Sequence, residues 1–195
     1  MKKLLWFASD LILGALIAIL SVLTAFTSWQ YSAADGVSSG YSSDGMKKLT
    51  EANAEYLVVN QAIIQDYTYF DTYYLNYETN PEVADYYQEN FSGALAANME
   101  RDTPAFDDQY YEEMYQDAAE LFDEADRLFA RSSAVGQRSD RLQLTMLIFA
   151  VALSFTAWAS LLDKASKLRV GFSLLAMSVM VAGIVTYLTA PAIPV

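Results

Sequence analysis

Three long runs of this chain carry no charge and few polar residues, and they constrain its fold more than any other feature. Leu11 to Trp29 reads LILGALIAILSVLTAFTSW, about 19 residues, and Leu142 to Leu162 and Val170 to Leu188 are of similar length. A helix rises 1.5 Å per residue, so each run is long enough to cross a hydrocarbon core of about 30 Å. Helices are the expected form, because a chain in lipid has to satisfy its own backbone groups.

The second and third runs are separated only by residues 163–169 (DKASKLR), which fits a turn between antiparallel helices. If three crossings alternate, Lys2, Lys3, Lys164, Lys167 and Arg169 fall on one side, which places the amino terminus and this turn in the cytoplasm. Arg131, Arg138 and Arg141, close to the second run on the other side, argue the opposite way. Lys2 and Lys3 also fit the start of a secretory leader, but Asp10 interrupts the apolar stretch and no good small-x-small cleavage site follows. The expected class is therefore an all-α membrane protein of three transmembrane helices, with an extracytoplasmic antiparallel helical bundle inserted between the first and second.

In chain order this gives a cytoplasmic N-terminus (1–10), transmembrane helix 1 (11–29), a Gly/Ser-rich connection (30–45) and an acidic outer helical domain (46–141). Transmembrane helix 2 (142–162), a cytoplasmic turn (163–169), transmembrane helix 3 (170–189) and an outer C-terminus (190–195) follow. Trp29 and Tyr187 are expected at one membrane interface, and Pro191 and Pro194 stop the last helix.

Charge divides along the same boundaries. Gln30 to Arg141 holds 22 acidic and 7 basic residues, in a chain whose net charge is −12. Such a face repels nucleic acid and anionic lipid headgroups and favours cations, basic partners or high-salt surroundings. The chain has no cysteine and no histidine. That removes disulfides, thiolate and imidazole metal ligation, and Ser-His-Asp catalysis, leaving carboxylate, tyrosine, hydroxyl and lysine chemistry. No cofactor and no enzymatic activity are expected.

Within the outer segment, Met46, Leu49, Asn53, Tyr56, Asn60, Ile63, Tyr67, Phe70, Tyr74 and Tyr77 are spaced alternately three and four apart, the pattern of one face of a long helix. Leu57, Val59 and Ile64 widen that face. Asn80 and Pro81 have the residue types of a cap and first turn and predict a helix to about Met99, with Val83, Tyr86, Tyr87, Phe91 and Leu95 inward. Thr103 and Pro104 repeat the signal. A third helix follows, with Phe106, Tyr110, Met114, Ala118, Leu121, Ala125 and Leu128 on one stripe and at most a hinge near Gly136.

Candidate functional residues are few. Asp108 with Glu112, Glu113 with Asp117, and Glu120 with Glu124 each pair carboxylates on one helix face, where a cation or a basic partner would relieve their repulsion. The aromatic run Tyr67, Tyr69, Phe70, Tyr73, Tyr74 and Tyr77, beside Asp66 and Asp71, has the makings either of a cage for a cationic amine or of a helical core. Asn90, Phe91 and Ser92 match a glycosylation triplet. In the apolar runs, small residues at i and i+4 (Gly14 with Ala18, Ala150 with Ser154, Ala152 with Thr156, Ser178 with Ala182) permit close helix contact. Asp10 fits an interfacial position at a helix start better than a proton path.

These features point to a non-catalytic membrane accessory or scaffold subunit whose acidic outer domain meets another membrane protein or a copy of itself. A helical outer domain between membrane helices also broadly resembles the sensor half of bacterial chemoreceptors, which would imply a receptor-like module in need of a signalling partner. An oligomeric cation channel or transporter subunit is the third reading, with Ser154, Thr156, Ser173 and Ser178 lining a narrow path.

Overall fold

The computed structural model describes residues 8–101 and 103–192; Lys2, Lys3 and Pro194 lie outside the described residues. Among those described there are five helices and no strand: α1 (Asp10–Asn76), α2 (Pro81–Gln88), α3 (Gly93–Met99), α4 (Asp108–Leu161) and α5 (Lys167–Leu188). α1, α4 and α5 each contain a stretch long and apolar enough to cross a membrane. The chain divides into two compact units, one of residues 1–42 and 130–195, the other Ser43–Phe129.

In the first unit, segments of α1, α4 and α5 pack around Leu16, Leu20, Phe149, Ala152 and Ala176. Their directions follow from the contacts. Ser38 and Ser132 each donate a side-chain hydrogen bond to the other's carbonyl at 2.8 Å, Phe149 lies against Gly183, and the Arg169 guanidinium reaches the carbonyl of Ala8 at 2.8 Å. The order is up, down, up. Residues 162–166 make the turn between α4 and α5: the Ser166 N–H donates to the Asp163 carbonyl at 2.9 Å, and the Ser166 hydroxyl caps the Leu168 N–H at 3.2 Å. That cap starts α5 at Lys167, three residues earlier than the apolar run suggests.

Residues 30–45, expected as a Gly/Ser-rich connection, are helical throughout. The small residues serve close approach instead of flexibility. A Cβ on Gly136 would lie 3.3 Å from the Ser38 hydroxyl, and within the second unit a Cβ on Gly45 would lie 2.9 Å from the Phe129 ring. No glycine has a positive φ. Gly136 lies inside α4, where no hinge interrupts the helix.

The second unit is centred on Val59, Ile63, Leu95 and Tyr110, with Phe70, Phe91, Phe106 and Met114 packed around them. α1 and α4 run antiparallel here, as the pairs Lys48 with Glu124, Asn60 with Tyr115 and Asp66 with Tyr110 require. The α4 stripe from Phe106 to Leu128 turns inward as its spacing predicts. On α1 only part of the predicted stripe does. Ile63 is buried, and Leu49, Asn60 and Phe70 are half-buried, whereas Met46, Asn53, Tyr56, Tyr67, Tyr74 and Tyr77 are exposed. The inward positions alternating with them are Gly45, Ala52, Val59 and Asp66, one residue earlier, where small side chains let α4 come close.

The single helix expected from Pro81 to about Met99 is two. α2 stops at Gln88, and α3 begins anew because the Ser92 hydroxyl accepts from the Leu95 N–H at 3.1 Å. Likewise Thr103 and Pro104 do not open α4. The Asn98 side chain holds the carbonyls of Pro104 and Ala105 at 2.9 and 2.7 Å, and the Asp107 carboxylate, accepting from the Tyr110 N–H at 2.8 Å, starts the helix.

Candidate interaction surfaces

The six carboxylates singled out on α4 (Asp108, Glu112, Glu113, Asp117, Glu120 and Glu124) are all exposed. They do not act as one site. Glu113 accepts from Gln109 at 2.8 Å and from Arg101 at 3.1 Å, which together hold its carboxyl below the usual range. Glu124 lies 3.3 Å from the Lys48 ammonium, which also meets Glu51 at 3.0 Å and is raised above its ordinary pKa by the two. Asp117 and Glu120 border an open groove with Glu55, Asp123 and Arg127, while Asp108 and Glu112 line a second one with Tyr111 and Tyr115. Among the described residues no three carboxylates converge on a point that one metal ion would occupy.

Among the described residues, the one buried carboxylate of the second unit is Asp66, 2% exposed. It accepts from the Ser92 N–H at 2.9 Å, the Ser92 hydroxyl at 2.5 Å and the Tyr110 hydroxyl at 2.8 Å. One side chain thus ties α1 to the first turn of α3 and to α4. Burial, followed by the bond to Asp66, raises the Tyr110 hydroxyl far above the usual tyrosine range. Next to it Tyr111, hydrogen-bonded to Tyr67, is pushed up to about 12. The Asp66 group is a fully satisfied polar core, which fixes the register of its helices. Sequence reading missed this role, although Asp66 continues the inward spacing of Val59 and Ile63 towards Phe70.

The aromatic run is divided by the same core. Tyr67 packs on Phe106 with ring centroids 4.2 Å apart, and Phe70 meets Phe106 edge-on at 5.4 Å. Tyr74 and Tyr77 stay exposed beside an open groove shared with Phe70, Tyr73 and Met99. Ser92 of the glycosylation triplet has its hydroxyl engaged with Asp66, and Asn90 is exposed.

In the first unit, Gly14, Ala18, Ala150, Ser154, Ser178 and Ala182 face outward, and a Cβ at Gly14 would meet nothing within 4 Å. Contacts between the helices fall one or two residues away. Of the four small-residue pairs, Ala152 with Thr156 is buried; Ala159, Ser173, Ala176 and Gly183 are buried as well, and a Cβ on Gly183 would lie only 2.5 Å from the Phe149 ring. Small-residue spacing alone does not say which face turns inward; the large Phe149 opposite Gly183 decides it. The hydroxyls of Thr27, Thr145, Thr156 and Ser173 point into the unit and donate to the carbonyls four residues back, at 2.7 to 2.8 Å. Ser154 and Ser178, the other two residues of the suggested narrow path, point away.

At one end of this unit Asp10, the first residue of α1, pairs with Lys164 at 2.5 Å and with Arg169. Arg169 is 2% exposed and also donates to the Leu162 carbonyl at 2.9 Å. At the other end the Tyr187 hydroxyl donates to Gln30 at 3.1 Å, and the Phe26 ring lies 6.0 Å from that of Trp29 and 6.4 Å from that of Tyr187.

No protein family model, no curated protein and no solved structure matches this chain.

Proposed function

We propose that this chain is an integral membrane accessory or scaffold subunit, without catalysis of its own, whose acidic unit stands outside the cytoplasm and associates with another membrane protein or with a second copy. The observation that carries the membrane reading is the apolar outer surface of the first unit. Leu11, Val22, Trp29, Leu147, Trp158, Leu161, Val181 and Leu188 are each more than half exposed, while Thr27, Thr145, Thr156, Arg169 and Ser173 are buried with their polar atoms bonded inside. Water would penalise that arrangement; hydrocarbon stabilises it.

The binding reading rests on the second unit. Its buried polar side chains Asp66 and Asn98 are satisfied internally, and its grooves are open surface features, so what it recognises meets a face. Extraction in mild detergent followed by identification and counting of what co-purifies tests this. A stoichiometric membrane partner or a defined homo-oligomer is expected, and a lone monomer would contradict the reading. The receptor-like alternative is favoured by one feature, the unbroken course of α1 over 67 residues and of α4 over 54. It requires a partner with a signalling output in the same preparation.

A further inference from the structure

On the side of α1 away from its core, the second unit leaves an apolar face uncovered. Leu57 is 61% exposed and Ile64 65%, and Val58 flanks them at 58%. They belong to a row spaced alternately three and four apart, Thr50, Ala54, Leu57, Gln61, Ile64 and Thr68, every member exposed. The core positions Ala52, Val59 and Asp66 lie two residues before Ala54, Gln61 and Thr68, so the two rows occupy opposite faces of one helix.

The charge pattern narrows what can cover this row. Between Ser43 and Phe129 the chain holds 20 acidic residues and 4 basic ones, yet the ten residues from Tyr56 to Gln65 hold neither. A basic partner drawn by the acidic surface finds no charge to read here. A second copy, though acidic as a whole, meets no like charge across the stretch from Tyr56 to Gln65 at the centre of the row. Gln61, set between Leu57 and Ile64, carries both amide donors and an amide acceptor, so a copy of itself can satisfy it.

We propose that a second copy of this chain docks on the row from Thr50 to Thr68, the two α1 helices lying parallel and in register, Leu57 against Leu57, Gln61 against Gln61 and Ile64 against Ile64. This rests on the self-association reading above and on both copies crossing one membrane in the same sense, which makes the pairing parallel. A row of 18 residue steps is about 27 Å long, a small interface by the standard of stable complexes. Confinement to one membrane plane in one orientation raises the effective concentration and makes a contact of that size sufficient.

The absence of cysteine makes the test clean. Leu57→Cys, Ile64→Cys and Ala119→Cys are introduced one at a time into the full chain and oxidised in native membranes. Ala119 is an exposed α4 position outside the row. Disulfide-linked dimers are expected for Leu57→Cys and Ile64→Cys and not for Ala119→Cys. Combining Leu57→Asp with Ile64→Cys should abolish the cross-link while circular dichroism of the purified variant stays unchanged. Equal cross-linking at Ala119, or cross-linking only when Leu57→Cys and Ile64→Cys chains are mixed, as an antiparallel pair would give, overturns the proposal. So does absence of cross-links; if a different membrane protein then co-purifies in fixed ratio, the accessory reading stands and only the self-docking face falls.

Discussion

Two glycines of the first unit separate helix propensity from packing. Gly14 in α1 has nothing within 4 Å of where a Cβ would lie, so Gly14→Ala should stabilise the protein by up to about 1 kcal/mol, the ordinary penalty of glycine inside a helix. Gly183→Ala gains the same term. Its methyl, however, would sit 2.5 and 2.7 Å from two carbons of the Phe149 ring and 3.2 Å from an Ile148 methyl, and Phe149 is only 1% exposed. The ring has no solvent to swing into, and overpacking of this kind costs about 1–3 kcal/mol. Gly183→Ala should therefore lie below Gly14→Ala by that amount, roughly a 5- to 140-fold difference in the unfolding equilibrium at about 1.4 kcal/mol per tenfold. The assay is reversible unfolding in mixed detergent micelles, followed by far-ultraviolet circular dichroism. If the two variants are equally stable, α5 does not pack on Phe149 through Gly183, and the helix arrangement of this unit is wrong.

Three further expectations concern the second unit. Asp66→Ala leaves the Ser92 N–H, the Ser92 hydroxyl and the Tyr110 hydroxyl without their acceptor and should cost about 3 kcal/mol or more, whereas Tyr110→Phe removes one bond and should cost about 1–2 kcal/mol; denaturant melts that rank them in the reverse order would refute the network. Tyr110, Tyr111 and Tyr115 are all raised in the folded state, so their contribution is complete below pH 10 and is lost as pH rises through the folded values; an ultraviolet titration should show tyrosines ionising late and together with unfolding, and a single normal titration would contradict this. Asp107, held down chiefly by the Tyr110 N–H, and Glu113, held down by Gln109 and Arg101, contribute above their ordinary values of 3.8 and 4.5 and lose that contribution as pH falls below them; thermal melts at pH 3 should lie below those at pH 6, and Glu113→Gln should reduce the gap.

What the sequence makes legible is spacing, and what it leaves open is phase. Apolar length alone located all three long helices, and on α4 the stripe from Tyr110 to Leu128 turned inward because the positions between its members are largely carboxylates and amides that stay in water. On α1 two rows compete, one bearing Met46, Asn53 and Tyr67, the other Gly45, Ala52 and Asp66. Size and hydropathy favour the first, but close approach of α4 selects the second. In the first unit the small-residue pairs divide by the same rule: Ala152 and Thr156 turn inward, while Gly14 and Ser178 face outward. Glycine and serine in residues 30–45 suggest a flexible connection and equally allow a helix to run through, because composition does not distinguish a residue chosen for flexibility from one chosen for smallness. For the carboxylates, the long-range partners Lys48 and Arg101 lie far away in sequence, so which of the six are already neutralised could not be read from one helix.

The central claim, that the acidic unit lies outside the membrane barrier and the α4–α5 turn inside, is tested most directly by single cysteines in this cysteine-free chain. Ser39→Cys, on an exposed position of α1, and Ala165→Cys, exposed in the turn, are expressed separately and treated on intact cells with a membrane-impermeant maleimide. Labelling is expected at residue 39, with protection at residue 165 until the cells are permeabilised. Labelling at 165 with protection at 39 would invert the topology, and labelling of both on intact cells would contradict the membrane crossing of α4.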